Sequence, residues 1–163
     1  MRKGFRLSAV ALVFVVFLWL PVAAHENHSK KGGTEFTKHF NESVLRVTGH
    51  GLFSIEIMLD DSEYDIGKNV IGIALHDAND EDVVSAGLVF SVRDMDSGAP
   101  VPLAYKIQDK GGGLYIVSGL DLVGQGKNLK LSVTAQKDGV SDTAVFLFPD
   151  ILAQRRPKGK ISR

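Results

Sequence analysis

The stretch Leu129-Lys130-Leu131-Ser132-Val133-Thr134-Ala135-Gln136-Lys137-Asp138-Gly139 decides the fold. Leu129, Leu131, Val133 and Ala135 face one way and Lys130, Ser132, Thr134 and Gln136 the other, the period of two that belongs to a strand with one buried face. The alternation predicts a strand over Lys127 to Gln136. Lys137-Asp138-Gly139 supplies a turn, because Asp-Gly accommodates the positive φ of a tight hairpin. Thr143 to Phe148 returns as a last strand, ended by Pro149, which has no N–H to donate.

Working outward, the same grammar recurs. Lys110-Gly111-Gly112-Gly113 marks a sharp reversal before the strand Leu114 to Leu120, since glycines tolerate positive φ. Ala86 to Val92 alternates Leu88, Phe90 and Val92, and the polar stretch Arg93 to Pro102 after it reads as a loop. Val70 to His76 is nearly all apolar, as expected of a central strand covered on both faces. Leu52 to Leu59 sets Phe53, Ile55, Ile57 and Leu59 against Ser54, Glu56 and Met58, which predicts one buried and one polar face. Ser43 to Thr48 is the first strand. Helical periodicity is hard to find in the chain. About seven short strands in roughly 110 residues predict an all-β fold, an antiparallel two-sheet sandwich of the immunoglobulin type, here over residues 36–150.

The first residues carry three cations in Met1-Arg2-Lys3-Gly4-Phe5-Arg6 and then an apolar run from Leu7 to Leu20, interrupted by one polar residue, Ser8. With Pro21 and the small-residue exit Val22-Ala23-Ala24, this is the grammar of a signal peptide over residues 1–24, cleaved after Ala24. A retained membrane anchor is the competing reading, because a span needs roughly 20 apolar residues. Cleavage would leave 139 of the 163 residues, enough for one domain with its own core. With no cysteine in the chain there is no disulfide, no thiolate ligand and no acyl-cysteine anchor. The expected location is periplasmic or secreted.

The formal charge is zero, but it is unevenly spread. Residues 32–154 hold 18 Asp and Glu against 9 Lys and Arg, a net of −9, whereas the last nine residues carry +5 from Arg155, Arg156, Lys158, Lys160 and Arg163. An acidic body argues against nucleic acid as a partner. Residues 25–35 read as a flexible polar leader and residues 151–163 as a basic disordered tail, whose cations suit a weak contact with anionic membrane.

The order of segments from Tyr64 to Phe148 resembles the YtkA-like domain family, which the periplasmic part of FixH proteins also resembles. The residues that carry the likeness are Tyr64-Asp65-Ile66-Gly67-Lys68-Asn69 ahead of the apolar strand ending in His76-Asp77, then Ala86 to Val92. Gly113-Leu114-Tyr115-Ile116-Val117 and the closing strands Leu129 to Ala135 and Thr143 to Phe146 complete it. The resemblance implies an immunoglobulin-like sandwich in the cell envelope, sometimes in a copper or respiratory-oxidase context. Where family members carry a Met-Pro-x-Met-like segment this chain reads Arg93-Asp94-Met95-Asp96-Ser97-Gly98, and a lone Met95 does not make the paired thioether site that Cu(I) favours.

Candidate chemistry is sparse. Cleavage after Ala24 would start the mature protein at His25-Glu26-Asn27-His28, whose α-amine and imidazoles suit Cu(II). His25 and His28 are therefore the expected metal residues, with His39 and His50 within reach of the leader. His76, followed by Asp77, reads either as a ligand oriented by that carboxylate or as a cap at a surface strand end. The acidic turn Asp77, Asn79, Asp80, Glu81 and Asp82 offers oxygen ligands for Ca²⁺ but lacks the glycine and glutamate of an EF-hand loop. Gly111 to Gly113 make no phosphate cradle. No Gly-x-Ser-x-Gly elbow is present, so no catalytic or cofactor-binding residue is nominated. The expectation is a non-enzymatic envelope domain that binds a protein partner or supports assembly. Copper binding or delivery through the mature N-terminus is the alternative, and a small-ligand or carbohydrate module a third class.

Overall fold

The computed structural model describes residues 36–60, 65–126 and 128–154. Among the described residues nine strands, a short 3-10 helix at Ile66–Lys68 and one α-helix are formed: β1 Ser43–Val47, β2 Phe53–Met58, β3 Val70–Asp77, β4 Gly87–Asp94, β5 Pro100–Val101, β6 Lys106–Gly111, β7 Leu114–Ser118, β8 Leu129–Lys137, β9 Val140–Leu147 and α1 Phe148–Gln154. They make two sheets, one ordered β1-β2-β3-β7-β6 and the other β5-β4-β8-β9, with every pair antiparallel. The chain changes sheet between β3 and β4, between β5 and β6, and between β7 and β8. Taken as A, B, E and D, strands β2, β3, β7 and β6 form one immunoglobulin sheet, and β4, β8 and β9 form the other as C, F and G. The seven expected strands are β1, β2, β3, β4, β7, β8 and β9; β6, which completes this frame, is not among them. β1 and β5 are additions at two of its edges.

The core lies between the sheets. Ile55, Ile57, Ile73, Leu75 and Val117 from one sheet meet Phe90, Leu131, Val133 and Phe146 from the other, all nearly or fully removed from solvent. Each such side chain is worth about 1.5–3 kcal/mol relative to exposure. β4 and β8 show the expected alternation of buried and exposed residues, and β3 is buried from Ile71 to His76. Gly111, Gly112 and Gly113 all have positive φ and turn β6 into β7.

Three expectations are corrected. β2 does not present a polar outer face: Ser54, Glu56 and Met58 are as buried as the inward residues. Met58 joins Ala74, Val70, Leu114 and Ile116 in a second apolar cluster, and the chain just before β1 supplies hydrogen-bond donors to Glu56. The polar stretch Arg93 to Pro102 is not all loop, because β4 runs on to Asp94 and β5 forms at Pro100–Val101. The ordered domain also runs past residue 150, since α1 continues to Gln154 and buries Phe148 and Ile151 against the sandwich. Pro149 fits α1 because the first helical turn needs no N–H donor there. The rest of the expected basic tail, the leader and the signal segment lie outside the described residues. Among the described residues no helix is long and apolar enough to cross a membrane.

Candidate metal centre

β3 ends at Asp77 in a tight reversal. The Asp80 N–H donates to the Asp77 carbonyl, and Asp77 N–H to the Glu81 carbonyl. Asp80 takes the left-handed backbone, φ 63°, that closes such a three-residue turn. That conformation belongs more readily to glycine or asparagine. The returning chain pairs His76 with Asp82 and is held by Tyr115, whose hydroxyl donates to the Val83 carbonyl and accepts from Ala86 N–H. Gly113 allows this approach: a Cβ there would lie 2.7 Å from the Leu75 carbonyl oxygen and 3.2 Å from the Asp82 Cβ.

The segment before β1 reaches the same corner. The backbone N–H groups of His39 and Phe40 donate to the two oxygens of Glu56, each at 3.0 Å, and the Ser43 hydroxyl donates to the same carboxylate. This sets the His39 ring against that of His76, with centroids 4.5 Å apart.

The result is a cluster of His39, His76 and Asp80, each offering one ligand atom within 4.8 Å of the others. Each imidazole also has a nitrogen near a second carboxylate. His39 Nδ1 is 3.8 Å from Glu56 and its Nε2 3.8 Å from Asp80, while His76 Nε2 is 3.3 Å from Asp82. A carboxylate behind a ligating histidine is the usual device for fixing its tautomer and orientation. What is left over is unsatisfied: His76 Nδ1 and Asp80 Oδ1 are buried without a hydrogen-bond partner. So is the hydroxyl of Ser54, directly across the ladder from His76. The His76 side chain is only 7% exposed, and an orphaned buried polar atom costs roughly 1–3 kcal/mol.

Electrostatics point the same way. Burial first, and then the neighbouring His39, push the His76 pKa below its ordinary value, against the pull of Asp80, Asp82 and Glu56. The neutral imidazole that a metal needs is thereby favoured. Among the described residues, the ion pairs of Glu56, Asp80 and Asp82 are made with imidazoles. Three carboxylates that have no Lys or Arg partner among the described residues suit a divalent cation. Ligand atoms about 3.4 Å apart are what a tetrahedral ion with bonds near 2.05 Å requires, so the cluster, with 3.8 Å between His39 and Asp80 and its ligand atoms within 4.8 Å of one another, would have to contract around an ion.

The expected metal residues His25 and His28 lie outside the described residues. His76 is not a surface cap, and its carboxylate is Asp82 rather than Asp77. Asp77 is engaged instead by the turn's own Asn79 and Glu81 amides. The acidic turn thus divides its carboxylates between backbone and histidines instead of converging them on a calcium ion. His50 sits elsewhere, with Nδ1 3.1 Å from buried Asp142. Burial would raise the Asp142 pKa, but hydrogen bonds from the Thr48 side chain, the Thr143 and His50 amides and the His50 ring hold it well below the usual carboxylate range. No protein family, curated protein or solved structure compared with this chain matches it.

Proposed function

We propose that this chain is an exported, non-enzymatic β-sandwich domain of the cell envelope whose ligand is a divalent transition-metal ion, held by His39, His76 and Asp80. The observation that carries the reading is the buried, unpartnered Nδ1 of His76 in a cluster with a second imidazole and a carboxylate. Two nitrogens and one oxygen suit Cu(II), Zn(II) or Ni(II) better than Ca²⁺ or Mg²⁺, which take oxygen shells. Solvent completes the coordination. Copper therefore stays within the reading, with its ligands on the sandwich rather than at the mature N-terminus. The export and envelope placement rest on the signal-peptide grammar of residues 1–24 and on the YtkA-like segment pattern.

Calorimetric titration with Cu(II) and Zn(II) tests it. One equivalent should bind with a Kd of about 1 μM or tighter, roughly −8 kcal/mol, and His76→Ala should weaken binding by about 100-fold. Absence of binding, or binding that His76→Ala leaves unchanged, overturns the reading.

A further inference from the structure

We infer that Glu56 is the positioning residue of this site and that ion occupancy fastens the segment 36–42 onto the sandwich, so that the metal acts as a clasp at the chain's entry to the domain. The inference rests on the metal reading above and adds a consequence to it.

The segment is lightly held. Residues 37–41 are exposed, Phe40 at 42% included, so little apolar burial keeps them in place. Segments with few buried contacts open at low free-energy cost. His39 and Phe40 are tied to the sheet through Glu56, by the two backbone N–H groups and the His39 Nδ1, and the Phe40 carbonyl and the Glu42 carbonyl also lie within hydrogen-bond reach of the Ser43 hydroxyl and the Leu59 N–H. Glu56 itself is fully buried at the centre of β2, facing Leu45 and Ala74 in the ladder. Without such donors its buried oxygens would be left unpaired, at a free-energy cost.

An ion bound by His39 on this segment and by His76 and Asp80 at the β3 turn would link chain positions 37 and 41 residues apart, as the numbering shows. Binding energy and docking of the segment are then one equilibrium. Whatever strengthens the ion strengthens the Glu56 hydrogen bonds, and whatever weakens Glu56 weakens the ion, although Glu56 does not touch it. Losing the ion would loosen the segment, while the sandwich core, which the cluster does not enter, stays folded.

Backbone amide hydrogen exchange on the intact chain, with Zn(II) as the probe and calorimetry on the same samples, tests this. Saturating Zn(II) should slow exchange at His39 and Phe40 by at least about tenfold, an effect that His76→Ala should abolish. Glu56→Gln, which keeps the side-chain shape and one acceptor, should weaken Zn(II) binding by about 10–100-fold, with β8 and β9 exchange reporting that the fold persists. Stoichiometric Zn(II) binding without slowed exchange at His39 and Phe40 overturns the clasp and leaves the metal reading standing. Wild-type affinity in Glu56→Gln overturns the positioning role. No binding at all overturns both.

Discussion

His76 and Asp142 show how burial separates two polar residues that look alike in a sequence. Asp142 is buried and fully used, accepting from the His50 and Thr143 amides and the His50 ring, so its charge ties the turn after β1 to β9. Its pKa is depressed, so its contribution is present above the ordinary carboxylate value near 4 and is lost as pH falls through the lower folded value. Asp142→Asn should cost about 1–3 kcal/mol at pH 7 and flatten the acid limb of a pH–stability curve measured by urea unfolding. His76 is buried and only half used. His39, more exposed, is the cleaner probe of the site: His39→Ala should change apo stability by less than about 0.5 kcal/mol while weakening Zn(II) binding by at least about tenfold, as read by paired thermal and calorimetric titrations.

At the scale of elements, the turn after β3 carries a conflict between folding and ligand. Asp80 holds a left-handed backbone that costs a residue with a Cβ about 1 kcal/mol more than glycine. Asp80→Gly should therefore raise the apo melting midpoint by about 3 °C and at the same time abolish tight metal binding. A purely structural turn would show the gain without the loss. The closing helix makes a different prediction: Ile151 is fully buried, and Ile151→Ala should cost about 2–5 kcal/mol in denaturant unfolding. These elements were unequally legible in sequence. β3, β4, β8 and β9 carry the alternation or the apolar run that burial demands, and they stand where that pattern puts them. β6 reads Lys-Ile-Gln-Asp-Lys-Gly, exposed along its whole length at a sheet edge, and leaves no periodic signal. α1 was hidden because Pro149 ends strands as readily as it opens helices. Glu56 looked like a solvent-facing residue because nothing local announces that the segment before β1 will fold over it.

Across the whole molecule, the sandwich brings together what the chain keeps apart. His39, His76 and Asp80 become neighbours through the pairing of β2 with β3 and through Glu56, neither of which a local motif encodes. The sequence drew attention to His25 and His28 by their place at an expected cleavage site, and to Asp80 as part of an acidic turn. Among the described residues, the histidines that meet are His39 and His76. An ion bound to the folded state alone should stabilise it by about 2.7 kcal/mol at one hundred times Kd, and the site's two-histidine, one-carboxylate set should discriminate against Ca²⁺. The most direct measurement is anomalous diffraction at the zinc edge from crystals grown with one equivalent of Zn(II). A single peak about 2.0–2.2 Å from His39, His76 and Asp80 is the predicted result. A peak on other residues, or none at this cluster in crystals that contain zinc, would contradict it.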